Sequence, residues 1–384
     1  MANTLTSLIP DAYAALDTVS REQVGFIPAV TMDATAARAA VGQTVRSPVA
    51  PAATATDVTP GVTPPDDGDQ TIGNVSMTIT KSRRVPIRWN GEQTRGVNNG
   101  GPGLSAIIQN QFAQAMRTLC NEVEADLAAL HVNASRAYGT AGTTPFSTSG
   151  DFTDASKVLQ ILKDNGAPQS DNQLIIDTNA GANILGKQAE VNKQGDDSIL
   201  RQGILRNMHG MAVRESAQII TSVAGTGASA TTDTAGYAVG DTVITLDSAG
   251  TGTILAGDII TFAGDANKYL VVSGDADVSG GGTITLAAPG LRKAIAGSAT
   301  NITVIAATAR NMAFARSAIA LATRAPALPE QGDSAVDRQL ITDPRSGLTF
   351  EIAMYAQYRQ MQYEISLAWG TKAVKTEHIA LLLG

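Results

Sequence analysis

Aromatic residues and fixed charge are both scarce in this chain, and cysteine is all but missing. Phe, Tyr and Trp together make 4% of 384 residues, so a core must be built mainly from Ala, Val, Ile and Leu. Charged residues make 16%, against about 25% in an ordinary soluble domain. A surface so thinly charged suits a protein that buries much of itself against other chains. The single cysteine, Cys120, excludes an intramolecular disulfide framework. It falls inside an expected helix, where a small buried apolar residue is the ordinary reading and a reactive thiol the rare one. No run approaches the roughly 18–20 apolar residues of a membrane span. The first ten residues have neither the basic start nor the apolar run of a signal peptide, so no membrane partner is expected. An excess of basic residues is missing too. Lys+Arg 28 against Asp+Glu 35 gives −7, which argues against a dedicated nucleic-acid reader and leaves only nonspecific contact with DNA.

What is present is a changing pattern along a chain long enough for two or three domains. Leu5, Leu8, Ile9 and Leu16 predict a helix over residues 4–24, followed by an extended stretch from Gly25 to Val30. From Arg46 to Gly68 the prolines 48, 51, 60, 64 and 65 sit among residues with almost nothing to bury, which predicts an extended arm. Val75–Thr80 and Val85–Trp89 alternate apolar and polar, with Lys81, Ser82, Arg83 and Arg84 between them. The pair reads as a long projecting hairpin with a basic turn.

After the breaker Gly100-Gly101-Pro102-Gly103, the residues Leu104, Ile108, Phe112, Ala115, Leu119, Val123, Leu127 and Leu130 recur every three or four positions. They predict a helix of about 34 residues, or about 50 Å, long enough to act as a spine. Thr153 to Asn165 predicts a helix with Thr153 as N-cap. Gln173–Asp177 is a short buried strand, Asn179–Gln188 a helix, 188–198 a polar loop, and a strand begins at Met211. Residues 223–307 turn Gly-, Thr- and Asp-rich. Short β runs recur there at 242–246, 258–262, 268–272, 283–286 and 302–305, as in a small barrel or sandwich. Helical patterning returns at Ala309–Leu321, so the β block reads as an insertion. Strands then close the chain at 348–354, 362–369 and 378–383.

That order of parts resembles the major capsid proteins of tailed phages, the Hong Kong 97 phage fold. It is most similar to the coat proteins of short-tailed Salmonella-type phages that carry an inserted β-barrel. The resemblance is carried by Leu255–Gly264, by Arg310–Ile319, by Ile365–Gly370 through Thr376–Ala380, and by Ile204–Arg214. It implies an α+β fold with six parts: an N-terminal arm (1–45), an extended loop and hairpin (46–95), a spine helix (96–140), an axial-type α/β domain (141–222), an inserted β-barrel (223–307) and a returning segment (308–384). It also implies a virion shell subunit assembled in the bacterial host cytoplasm. Its partners would be itself in pentamers and hexamers, scaffolding and portal proteins, packaged double-stranded DNA held nonspecifically, and a decoration protein where one exists. No enzyme activity, cofactor, catalytic residue or metal ligand is expected.

Several signals compete with that reading. Gly181–Lys187 matches G-x-x-x-x-G-K, but Gln188 stands where a phosphate loop needs Ser or Thr. His131, His209 and His378 lack the i+3 or i+4 partner of a helical metal pair. Asp57, Asp66, Asp67 and Asp69 could hold a cation or simply solvate the arm. Lys81, Arg83, Arg84 and Arg88 form the one basic patch, and a neighbouring subunit is its favoured partner. A surface adhesion or carbohydrate-binding protein is the alternative function, but residues 223–307 offer only Tyr237, Phe262 and Tyr269 for sugar stacking.

Overall fold

The computed structural model describes residues 24–49, 55–63, 68–98, 104–148, 151–188, 207–343 and 347–384. The helix expected over 4–24 therefore lies outside the described residues but for Val24, as does the loop 189–198. The stretch 25–30 is not extended: Ile27–Ala29 is a 3-10 turn, with Pro28 at its start. The fixed φ of proline suits that position, and the amides of Ala29 and Val30 close onto the Phe26 carbonyl.

The first quarter of the chain then gives β1 (Thr31–Ala39), β2 (Thr44–Val49), β3 (Gly73–Thr78) and β4 (Lys81–Asn90). Two helices follow, α1 (Gly91–Asn98) and α2 (Leu104–Ala128), and then β5 (Arg136–Gly139). Next come α3 (Thr153–Asp164), β6 (Asn172–Ile176), α4 (Thr178–Gln188) and β7 (Met211–Glu215). The β-rich block holds β8 (Val243–Leu246), β9 (Ile259–Phe262), β10 (Lys268–Ser273), β11 (Gly282–Leu286) and β12 (Ile302–Val304). The last strands are β13 (Arg310–Ala315), β14 (Ile319–Pro326), β15 (Ala335–Thr342), β16 (Thr349–Gln357), β17 (Gln360–Ala373) and β18 (Ile379–Leu383).

These form two large sheets and a ribbon. One sheet runs β1-β14-β17-β16-β15, with β4 on the other edge of β17; the other runs β12-β9-β10-β5-β18-β13-β6-β7, extended by β11 and β8; β2 and β3 pair only with each other. Helix α2 buries Ile108, Phe112, Met116, Leu119, Val123 and Leu127 in one apolar cluster. That cluster also takes Leu321, Leu367 and Trp369 from the first sheet and Met312, Phe314 and Leu381 from the second. Each such side chain contributes about 1.5–3 kcal/mol of transfer free energy. The helix is 25 residues long, not about 34, because Ala129–Asn133 tightens into a 3-10 turn that ends at extended Ala134.

Two sequence expectations fail for a shared reason: tertiary pairing overrides local pattern. The hairpin joining 75–80 to 85–89 does not form. Strand β3 pairs with β2 instead, and β4 pairs with β17 from Asn90↔Gln360 to Lys81↔Trp369. The chain bends at Ile79, which is fully buried. Lys81–Arg84 is a strand segment rather than a turn, because acids on α2 and β17 face its charges. Likewise Ala309–Leu321 is not helical but forms β13, a short 3-10 turn and the start of β14. Helix propensity differences are worth only a few tenths of a kcal/mol per residue. Strand β13 is paired on both edges, by β18 and β6, and all six of its side chains are buried. A smaller correction concerns α3, whose N-cap is Phe152 rather than Thr153; the Thr153 amide donates to Asp151 Oδ1 at 2.7 Å.

Residues 223–307 have an apolar cluster of their own, with Ile244, Phe262, Tyr269, Val271 and Ile284. They are also sutured to the body. Strand β10 pairs with β5 through Lys268↔Ala137 and Tyr269↔Arg136, and Ile259, Leu270 and Ala287 join the cluster around α2. The incoming and outgoing chains run side by side at the neck. There Thr221 bridges Ala309, the Ser222 amide donates to the Thr308 carbonyl and Arg310 Nε donates to Ser222 Oγ at 2.7 Å.

Candidate assembly surfaces

A buried carboxylate ties three distant parts of the chain together. Glu124, on the inner face of α2, is 1% exposed. It accepts from the amides of Phe26 at 3.0 Å and Ile27 at 2.8 Å, and from Ser216 Oγ at 2.9 Å. Burial pushes this carboxyl above its ordinary range, and the hydrogen bonds pull against that. Gly25 passes so close to the end of β7 that a Cβ there would stand 2.7 Å from the Glu215 carbonyl oxygen. One helix, the start of the described chain and the end of β7 are thereby tied at a single point. Sequence reading missed this junction, since a lone Glu on a helix carries no motif.

The ribbon is the opposite kind of structure. Its base is sealed by Met77 and Ile79 against Ala39, Ala322 and Ala368. Beyond the base, residues 55–63 and 68–72 are exposed throughout, with Val58 96%, Val62 105% and Ile72 70% accessible. Asp57 and Asp69 lie in this exposed stretch, while Asp66 and Asp67 fall outside the described residues. Among the described residues no group of acids, histidines or cysteine is placed to hold a metal ion.

Beside α1 an open groove of about 1190 Å³ is lined by Trp89, Arg95, Ile108, Tyr358, Arg359 and Met361. Tyr358, at the β16–β17 turn, is 86% exposed and has the Arg359 guanidinium 5.5 Å from its ring centre. The basic patch expected to face a neighbour is instead largely spent within the chain. Lys81 pairs with Asp126 at 2.6 Å, Arg83 with Glu122 at 3.0 Å and Arg84 with Glu364 at 2.6 Å; Arg88 stays exposed.

The remaining candidates resolve individually. Cys120 is buried, and burial pushes its thiol up to about 12, which makes it inert as a nucleophile. His131 is buried, with Nδ1 3.1 Å from the Ala128 carbonyl oxygen; His209 sits in a left-handed turn at φ +50°; His378 closes a short 3-10 turn. The three are not brought together. Gly181 and Gly186 lie inside α4, not in a loop. The Asp177 carboxylate accepts from the Ala180 amide at 3.1 Å, so the helix start already carries an anion. In the β block Phe262 and Tyr269 are buried and Tyr237 is half-buried, so the aromatics there face inward and offer no stacking platform.

No family model and no curated protein sequence matches the chain. Among its solved structural neighbours are phage capsids and a virus-like particle. One is from the capsid of the cyanophage P-SCSP1u, at 10% identity over 92% of this chain and 86% of that one, with a TM-score of 0.49. Another is from Mycobacterium phage Che8, at 12% identity over 89% and 84%, with a TM-score of 0.46. A third is from a virus-like particle of Pyrococcus furiosus, at 11% identity over 97% and 98%, with a TM-score of 0.43. At that level of similarity, function has to be argued from the chain's own surfaces.

Proposed function

We propose that this chain is a shell subunit: the major capsid protein of a tailed phage, which self-assembles through pentamers and hexamers into an icosahedral coat around double-stranded DNA. The observation that carries the reading is the β2–β3 ribbon and its connecting loop, which hold Val58, Val62 and Ile72 in solvent with none of the described residues covering them. A two-stranded ribbon of this kind is marginal alone. It gains order by lying on another copy, which couples its folding to assembly. The body supplies the stiff part, with α2 as the spine and residues 223–307 as an inserted β-barrel. A surface with only 16% charged residues suits many modest interfaces that sum over a closed shell. The role needs no catalytic group. Scaffolding and portal proteins are the expected helpers, the assembled shell belongs to the virion, and assembly takes place in the host cytoplasm.

Negative-stain electron microscopy of the purified chain, alone and with its neighbouring phage proteins, tests this directly. Closed shells or rings of five and six subunits are expected. A monodisperse monomer under both conditions would sink the proposal. Replacing residues 50–72 by a short glycine turn should leave a folded subunit that no longer forms shells; normal shells from that variant would remove the ribbon from the mechanism.

A further inference from the structure

A second cavity, of about 230 Å³, lies between the loop 140–148 and strand β10 and shares no lining residue with the groove beside α1. Its wall is unusually rich in hydroxyls, from Thr140, Thr143, Thr144, Ser147 and Thr148. Lys268 reaches it from β10, half-buried, and donates to the Gly139 carbonyl. Among the described residues no carboxylate stands within ion-pair distance of that ammonium, and burial holds it below its usual range. The one acid in the wall, Asp154, is engaged by the Phe146 amide at 2.7 Å.

The loop is held in shape against its own preferences. Phe146, a non-glycine residue, sits at φ +60°, while its side chain is buried in the cluster of Val158 and Leu162. Asn183 Nδ2 donates to the Pro145 carbonyl at 3.0 Å. At Gly139, with φ +102°, a Cβ would meet the Leu383 carbonyl oxygen at 2.5 Å, so only glycine lets the strand pass. Strained backbone that the surroundings over-determine marks sites where geometry is kept for use.

We propose that this pocket binds a phosphate group, with Lys268 supplying the charge and the threonine and serine hydroxyls donating to its oxygens. An under-compensated ammonium gains from an oxyanion, and charge-assisted hydrogen bonds are the strong ones. Inorganic phosphate and the phosphodiester of nucleic acid share this chemistry. The lining includes neither ribbon residues nor residues of the groove beside α1, so the site stands or falls apart from the shell reading.

The test is calorimetric titration of the full chain with inorganic phosphate at constant ionic strength, repeated with chloride and with a short DNA duplex. Saturable phosphate binding is expected, weakened about tenfold in Lys268→Gln and unchanged in Lys293→Gln, a control lysine on the same block. A duplex that competes with phosphate identifies the phosphodiester as the source; an inert duplex identifies free phosphate. Equal binding of chloride, or full affinity in Lys268→Gln, overturns the proposal. Should Lys268→Gln fail to fold by circular dichroism, Thr144→Val takes its place, with about threefold weaker binding expected and unchanged affinity counting against the site.

Discussion

The junction at Glu124 and the β2–β3 ribbon could hardly differ more. At the junction a buried acceptor is matched by two amides and a hydroxyl, and the surrounding side chains are sealed in the main core. On the ribbon, apolar side chains stand in water. The first region stabilises the subunit from within. The second adds little to the isolated chain, and under the proposed function its covering surface comes from another copy. On that reading stability and assembly rest on different residues, and they should respond to different mutations.

The largest effect should come from breaking the junction. Glu124→Val removes the acceptor and leaves the amides of Phe26 and Ile27 buried without partners. Each such orphan costs about 1–3 kcal/mol, so the total is about 2–6 kcal/mol, read as a lower urea midpoint at an unchanged slope. A wild-type midpoint in Glu124→Val would show that the junction is ornamental. Shortening the ribbon should cost less than about 1 kcal/mol in the same measurement, with its effect visible only in shell yield.

The contrast was half legible in the sequence. The stripe on α2, the strands at 173–177 and 211–215 and the spacing of the β block all follow from periodicity. Of the arm expected over 46–68, the exposure of 55–63 follows from its composition, while 46–49 is the end of β2 and 50–54 and 64–67 lie outside the described residues. What escaped depends on partners far away in the chain. Nothing local says that Glu124 will meet residue 26, or that Lys81–Arg84 will lie opposite residues 366–369 of β17. The alanines of β13 read as helix because composition cannot see a strand paired on both edges. Strands β1, β5 and β15 went unread, since Ala- and Arg-containing segments such as Thr31–Ala39 carry no clean alternation.

A smaller, pH-dependent effect is expected where α2 runs out. His131 has its protonation disfavoured by burial and, secondarily, by the nearby Arg310 charge. Its folded pKa is therefore lowered, and in the window between that value and the unfolded one the unfolded chain binds the extra proton. Stability from this group is complete above the ordinary histidine range and is lost as pH falls through it. Urea midpoints from pH 8 to 5 should decline in the wild type more than in His131→Asn, which cannot titrate. Parallel curves would assign the acid sensitivity elsewhere.

The smallest effect decides where the ribbon ends and the body begins. Sequence pattern assigns β4 to a projecting hairpin, whereas the fold lays it along β17. Arg84 is the discriminating residue, because it is mostly exposed yet pairs with Glu364 on β17 at 2.6 Å. If β4 belongs to the body, Arg84→Ala should cost no more than about 1 kcal/mol, the usual worth of an exposed pair. That cost should shrink in high salt and disappear in the Glu364→Ala background, while shell yield stays normal. Should Arg84→Ala leave the urea midpoint untouched and abolish shells, the side chain serves a neighbour, and β4 functions with the ribbon despite its place in the sheet. Measured together, midpoint and shell yield locate the boundary to within one strand.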